Sequence, residues 1–164
     1  MSQVNDFLAV AQKELGTIEG PKNNETKYGK FTGHDLQPWC GSFVMWCAAQ
    51  VKFKGMPNCV YTPAGAAAFQ GQGKWQNHET ASPQPGDIVF FSFDGKGIEH
   101  VGIVIKDNGD GTVSTIEGNT SPDTKPAGSQ ANGGEVATKT RAFRSDNKRK
   151  LPVFVVGFGR PKWT

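Results

Sequence analysis

The segment LQPWCGSFVMWCAAQ, residues 36–50, contains two cysteines in different surroundings. Cys40 lies two residues after Pro38, where a helix is predicted to begin, because proline presets the backbone of a first helical turn. The N–H groups and partial positive charge of a helix N terminus stabilise a thiolate and can hold an oxyanion. The pattern therefore indicates a nucleophilic Cys40, with Gly41 and Ser42 leaving room for a substrate. The alternative is a small buried apolar residue, as most free cysteines are.

The second cysteine of this helix has a different environment. Cys47 lies among Val44, Met45 and other apolar residues, which indicates core packing. It is about 10 Å from Cys40 along the helix axis, too far for a disulfide. Cys59 lies in a loop, and a Cys47–Cys59 bridge stays open as an alternative.

A nucleophilic cysteine needs a base, and three histidines could provide one. His34 and His78 lie in polar segments and are expected at the surface. His100 begins the predicted strand HVGIVI, in which Gly102 follows on the same face. The missing side chain of Gly102 leaves open space beside the imidazole. The alternative is a core histidine bonded to a backbone carbonyl.

The turn signal DNGDG predicts a hairpin in which Lys106 pairs with Thr112. That register brings His100 opposite residue 117 or 118, within a slip of one residue. Glu117 therefore lies beside the imidazole, and Asn119 shares its strand face. A carboxylate next to histidine fixes the tautomer and stabilises the imidazolium, as in catalytic triads. The alternative is an ordinary solvent-facing glutamate.

The elements that position these residues divide into helices first and strands afterwards. Ser2 caps an N-terminal helix that ends at Gly16, and its apolar stripe comprises Val4, Phe7, Leu8, Ala11 and Leu15. A loop over residues 17–37 precedes the Cys40 helix. A third helix begins in YTPAGAAAFQ, with Thr62 as the cap and Pro63 in the first turn. Five segments have strand composition: DIVFFSF, IEHVGIVIK, TVSTIEG, EVATKTRAF and VFVVGFG. The order predicts an α+β fold, with N-terminal helices packed on an antiparallel sheet, in one domain over residues 1–164.

Composition excludes several classes of function. The 164 residues are 36% hydrophobic and 20% charged, and they contain neither a membrane-length apolar run nor a secretory signal. The net charge is +3, and its one dense basic cluster, residues 144–150, is interpreted as a solvated loop rather than a polyanion site. No nucleic-acid motif and no metal-ligand spacing are present. We therefore expect a protein that needs no metal or cofactor, binds no nucleic acid and does not insert into membranes. We also expect it to be a monomer.

The combination of PWCGSFVMW, PQPGDIVFFSF with IEHVGIVI, and TIEGNTS resembles the CHAP family of cysteine, histidine-dependent amidohydrolases and peptidases. NNETKYGKFTG and VVGFGRP further resemble a subset found in phage lysins. The resemblance implies a papain-like fold and peptidoglycan as the substrate. It implies Cys40 as nucleophile, His100 as base and then acid, Glu117 as the orienting residue and Asn119 as support.

The resemblance leaves several points open. Gln37, Trp39, Asp35 and Tyr28 are candidate substrate-binding or oxyanion residues. The loop before Cys40 lacks the closely spaced aspartates with which some lysins of this family hold calcium. Either an N-acetylmuramoyl-L-alanine amidase or an endopeptidase would fit. An endolysin would accumulate in the host bacterial cytoplasm and act on the cell wall.

Two other readings compete with an endolysin. One is an NlpC-type endopeptidase of a tail particle or an antibacterial effector. The other is a non-catalytic wall-binding module with the same fold.

Overall fold

The computed structural model describes residues 2–164. The helices are α1 (Gln3–Lys13), α2 (Lys27–Thr32), α3 (Cys40–Gln50) and α4 (Thr62–Gly71). The strands are β1 (Trp75–Asn77), β2 (Ile88–Phe91), β3 (His100–Asp107), β4 (Thr112–Thr120), β5 (Glu135–Ala142) and β6 (Val155–Gly159). Helices thus precede strands, and the predicted α+β class is confirmed, as are all five predicted strands.

The N-terminal helix forms where its cap and apolar stripe predict it. The Ser2 side chain accepts a hydrogen bond from the Asn5 N–H, and Phe7 and Ala11 are buried. The helix ends at Lys13, before Gly16. Leu15 therefore lies beyond the helical periodicity and is 42% exposed, which corrects its assignment to the buried stripe.

Two short elements were missed in the sequence. Helix α2 lies within the segment predicted to be a loop. The Thr26 side chain caps it by accepting from the Gly29 N–H, and Gly33, at φ 76°, ends it in the left-handed conformation that glycine adopts readily. Strand β1 has three residues and pairs with β6. Both elements are too short for a periodic apolar pattern to emerge.

Helix α4 begins one residue earlier than predicted. Tyr61 is the N-cap residue, and Thr62 is the first helical residue. The Thr62 hydroxyl donates to the carbonyl oxygen of Ile98 at 3.1 Å instead of capping the helix. This bond joins the start of α4 to the loop that leads into β3.

The six strands form one antiparallel sheet with the order β1-β6-β2-β3-β4-β5. Strands β2 to β5 form the predicted meander, whereas β6 returns between β1 and β2. Helix α3 packs against β3 and β4. The helix-covered side of the sheet holds the larger apolar core, which includes Phe43, Ile103 and Ile116. A second, smaller cluster around Val104, Phe143 and Phe158 covers the opposite side.

The basic cluster lies in the mostly exposed segment between β5 and β6, as predicted. Arg149 contacts Asp110 at 2.8 Å, and Arg144 contacts Asp146 at 3.3 Å. Two of its four basic side chains are thus paired with neighbouring carboxylates. Within residues 2–164, no helix combines the length and the apolar character that a membrane crossing requires.

Candidate active site

Cys40 is the first residue of α3, and Trp39 is its N-cap residue. The first helical hydrogen bond runs from the Phe43 N–H to the Trp39 carbonyl oxygen at 2.9 Å. The N–H groups of the first turn, including that of Cys40, therefore have no acceptor within the helix. Cys40 is 4% exposed and lies at the base of a groove. The residue that lines the groove is thus in the helical turn whose N–H donors lack helical acceptors.

Three segments form the groove beside Cys40, which has a volume of about 510 Å³. One wall is the segment before α3, the second is the start of α4, and the third is the β2–β3 loop. Tyr61 belongs to the second wall, with 70% of its surface exposed. Asp94 and Glu99 belong to the third wall. The Thr62–Ile98 hydrogen bond holds the second and third walls together.

Gly41 and Ser42 do not provide the predicted space for a substrate. A Cβ atom on Gly41 would overlap the carbonyl group of Cys59, so this glycine lets the helix approach the loop before α4. The Ser42 hydroxyl is buried and hydrogen-bonds to the Thr32 hydroxyl at 2.7 Å. Both residues therefore serve the packing of α3.

The predicted histidine and carboxylate lie together on adjacent strands. His100 Nε2 and Glu117 Oε1 are 2.8 Å apart, and both side chains are fully buried. The open space beside Gly102 is filled by Glu117, since a Cβ on Gly102 would lie 2.6 Å from Glu117 Cγ. Glycine at this position is thus what lets the glutamate reach the imidazole.

The register of this hairpin differs from the predicted one. Lys106 pairs with Ser114 rather than Thr112, because Asp107 and Asn108 extend the ladder and only three residues form the turn. A bulge between Val104 and Lys106 then changes the register by one. Extending the Ile103–Ile116 pairing places His100 diagonal to Glu117 rather than opposite it. The two side chains still share a face, so the contact survives the shift.

Arg141 on β5 completes the cluster and was missed in the sequence. Its Nε donates to Glu117 Oε2 at 2.9 Å, and its Nη2 donates to Glu117 Oε1 at 2.6 Å. Thr115 also donates its hydroxyl to Glu117 Oε2 at 2.6 Å. Arg141 lies in the predicted strand EVATKTRAF, but strand composition does not distinguish a buried arginine from a solvent-facing one.

The protonation of the pair follows from these contacts. Burial alone would lower the pKa of His100, but its interactions with Cys40 and Glu117 outweigh burial and raise it to about 9. Burial opposes ionisation of Glu117, yet the charge and hydrogen bonds of Arg141, with the hydrogen bond from His100, hold its pKa well below the ordinary range. His100 Nδ1 is buried without a hydrogen-bond partner. Because Nε2 is bound to Glu117, Nδ1 is the nitrogen left to exchange a proton with Cys40.

Asn119 follows Glu117 on β4 but is bonded elsewhere. Its Nδ2 donates to Asn132 Oδ1 at 3.1 Å, and its Oδ1 accepts from the Gly134 N–H at 3.0 Å. With φ at 55°, it lies at the irregularity of the β4–β5 ladder between Glu117 and Thr120. The side chain therefore holds this loop rather than His100, and a direct role in the site stays a prediction.

The four candidate substrate-binding or oxyanion residues separate into two groups. Trp39 and Tyr28 are fully buried and stack on each other at 5.4 Å, which corrects the expectation that they contact substrate. Asp35 accepts from the Thr26 N–H at 3.1 Å and does not line the groove. Gln37 is exposed and lines the groove beside Cys40, so it alone keeps a place at the site.

The remaining cysteines and histidines lie outside the groove. Cys47 and Cys59 are free and fully buried, so the structure holds no bridge between them. Burial raises the pKa of both thiols, that of Cys59 to about 12. His34 is exposed as predicted, whereas His78 is half-buried and contacts the Phe143 carbonyl oxygen at 2.8 Å.

Comparison with solved structures identifies the fold class. The structure of Ly7917 superposes with a TM-score of 0.51 at 17% identity, covering 96% of this chain and 62% of that one. The structure of Ly7917 with the hydrolyzing product of MDP gives a TM-score of 0.53 at 16% identity, with the same coverage. At these identities the likeness concerns the fold, and the expected papain-like α+β fold is confirmed. This chain spans 62% of the length of Ly7917.

The family is defined by the sequence itself. The model of the CHAP domain matches residues 32–119, just over half of the chain. The matched region begins shortly before Cys40, includes His100 and ends at Asn119. A search of curated protein sequences gives no match. The chain belongs to the CHAP family.

Proposed function

We propose that this protein is a peptidoglycan hydrolase that cleaves an amide or peptide bond with Cys40 as the nucleophile. The observation that carries the proposal is the position of Cys40 at a helix N terminus, at the base of a groove, beside a buried His100–Glu117 pair. Membership of the CHAP family supports it. The structure of Ly7917 with the hydrolyzing product of MDP supports a peptidoglycan substrate.

The reaction would follow the covalent route of cysteine hydrolases. The Cys40 thiolate attacks the carbonyl carbon, and the N–H groups of the first turn of α3 hold the oxyanion. His100 then gives its proton to the leaving amine nitrogen, which leaves an acyl group on Cys40. Neutral His100 takes a proton from water, and the resulting hydroxide releases the acyl group as a carboxylic acid.

The test compares wild-type protein with Cys40→Ala on isolated bacterial cell walls. Wild type is expected to lower the turbidity of the suspension, and Cys40→Ala is expected to be inactive. Cys47→Ala is the matched control, because it removes a cysteine of the same helix that lies in the core. It should keep the activity per folded molecule. Equal clearing by wild type and Cys40→Ala would exclude the mechanism.

The products of the same digests show which of the two bonds, amide or peptide, is cleaved. New N-terminal alanine would identify an N-acetylmuramoyl-L-alanine amidase, whereas other new amines would identify an endopeptidase. Rapid alkylation of Cys40 by iodoacetamide at pH 6 is expected of a catalytic thiolate. Slow alkylation would favour a non-catalytic wall-binding module.

We further propose that the biological role is host lysis by a phage endolysin, acting on the wall from the host cytoplasm. The support is the resemblance of NNETKYGKFTG and VVGFGRP to phage lysins. Genes for a membrane-permeabilising protein next to the coding gene are expected. Tail or effector genes in that place would instead indicate a related endopeptidase with the same chemistry.

A further inference from the structure

The carboxylate of Glu117 is held by more groups than a histidine partner requires. Four hydrogen bonds reach its two oxygens: two from Arg141, one from Thr115 and one with His100 Nε2. Glu117 is fully buried and the Arg141 side chain is 7% exposed. A paired fork of this kind fixes the orientation of a carboxylate as well as its charge.

Arg141 is itself fixed on its remaining sides. Its Nη1 donates to Gln130 Oε1 at 2.9 Å. Its guanidinium lies over the rings of Phe91 and Phe93, at 4.9 and 5.5 Å. The Phe91 ring also contacts the His100 ring, with centroids 5.4 Å apart. The aromatic rings thus enclose the arginine and the histidine in one dry cluster, where charge interactions are strong.

The other charged groups near Glu117 have different partners. Lys139, on the same face of β5, donates to the Ser121 carbonyl oxygen at 2.6 Å and contacts Asp123 at 2.9 Å. Asp123 is about half exposed and lies on the solvent side of that pair. On the opposite side of the cluster, His100 faces Cys40. Among residues 2–164, Glu117 therefore bonds directly to two basic side chains, His100 and Arg141, and Arg141 is the one whose charge does not change during proton transfer.

We propose that Arg141 is a positioning residue for the proposed reaction, which keeps Glu117 ionised and aimed at His100 Nε2 so that Nδ1 faces Cys40. Arg141 does not touch the substrate or the reacting atoms. It acts through Glu117, and the inference rests on the proposed function of Cys40 and His100.

The physical reason lies in the cost of a buried charge. Without Arg141, the Glu117 carboxylate would be a buried anion whose one charged neighbour is a histidine that gains and loses a proton in each cycle. Glu117 would then take up a proton itself, or rotate to find another donor. With Arg141 bound, the carboxylate stays charged and fixed while His100 changes its protonation state.

The test uses thiol chemistry, so that it does not depend on the identity of the wall substrate. The rate of Cys40 alkylation by iodoacetamide is measured against pH for wild type, Arg141→Lys and Arg141→Met. Removing a cation from a buried cluster makes deprotonation within it harder. Arg141→Met is therefore expected to shift the midpoint of the profile upward by about one pH unit. Arg141→Lys keeps the charge and should shift it less.

Cell-wall hydrolysis gives the second readout. Arg141→Lys loses the fork geometry, and kcat is expected to fall about 10-fold or more with little change in KM, because small misplacements of a catalytic group are costly. If Arg141→Met does not fold, as judged by circular dichroism and thermal melting, Arg141→Lys carries the test alone.

Arg160→Lys is the matched control. Arg160 forms the same two-bond fork with Asp87, at 2.9 and 2.8 Å, away from the groove. The Arg160→Lys substitution should change the melting temperature and leave the alkylation profile and kcat unaltered. In a Glu117→Gln background, Arg141→Lys should cause no further shift, because its effect passes through Glu117.

Two outcomes would overturn the proposal. One is an alkylation profile and kcat of folded Arg141→Lys that match wild type. The other is a full additional shift in the Glu117→Gln background. Failure of the proposed function is recognised separately, as wall clearing by Cys40→Ala equal to that of wild type.

Discussion

The two faces of the sheet have different roles, although the same strands form both. On the face covered by α3, β3 and β4 present Ile103 and Ile116, which pack against Phe43. On the opposite face, near the start of β3, the same strands present His100 and Glu117. Neighbouring residues of one strand, such as Ile116 and Glu117, thus belong to the apolar core and to the proposed site, respectively.

The two faces differ in how exactly their side chains must be positioned. An apolar face depends on filled volume and tolerates replacement by residues of similar size. A buried polar cluster depends on every partner, because each unpaired group carries the full cost of losing its water. We therefore expect substitutions on the helix-covered face to lower stability, and substitutions around Glu117 to lower activity.

The strongest test is Gly102→Ala, which places a methyl group on the polar face. Its Cβ would lie 2.6 Å from Glu117 Cγ and displace the carboxylate from His100. Activity on cell walls is expected to fall about 100-fold, since a displacement of about 1 Å has that effect on catalytic groups.

Gly71→Ala is the control for this test, because nothing lies within 4 Å of the added methyl group in α4. It should keep wild-type activity. Full activity of Gly102→Ala would show that the Glu117 position is not critical.

The next prediction concerns Ile103→Ala, one residue along β3 and on the apolar face. Ile103 is fully buried, so the change leaves a cavity and should lower the free energy of unfolding by about 2–5 kcal/mol. Urea titration measures the loss. Activity per folded molecule should stay within a few-fold of wild type, and loss of activity without loss of stability would contradict the division between the faces.

The smallest effect is the pH dependence of stability. The pKa of His100 is raised to about 9 in the folded state, so its stabilising contribution is complete below its unfolded pKa of about 6.5. The contribution is lost as the pH rises through about 9. The low pKa of Glu117 has the opposite sign, and its contribution is lost as the solution becomes acidic.

Melting temperatures of wild type and His100→Gln between pH 6 and pH 10 measure the contribution of His100 to stability. The wild-type curve should fall toward that of the variant as the pH rises. Parallel curves would show that the imidazolium is not stabilised in the fold.

The residues carrying the proposed chemistry could be located from the sequence because each depends on local pattern. Pro38 marks the start of α3, and strand alternation places Glu117 on the same face as His100. The contact tolerates the error in register, because Glu117 reaches His100 diagonally across Gly102. The α2 helix and β1 strand have no such pattern, being six and three residues long.

Features that depend on distant parts of the chain could not be derived in this way. The pairing of Arg141 with Glu117 requires β5 to lie beside β4, after a loop that has no secondary-structure pattern. The burial of Trp39 and Tyr28 depends on the packing of α2 against α3 and on the segment before α2, where Glu19 Oε1 accepts a hydrogen bond from Trp39 Nε1 at 3.1 Å. Aromatic residues next to a nucleophile have the same composition whether they face a substrate or the core.

Strand β5 lies at an edge of the sheet, where unpaired N–H groups can recruit another chain. Here the Val136 N–H donates to the Thr17 carbonyl oxygen, and the Thr140 N–H donates to Asp123 Oδ2. Bridges to Ile18 and Val153 cover its two ends. The strand that carries Arg141 thus offers a second copy of the chain few free donors for strand addition.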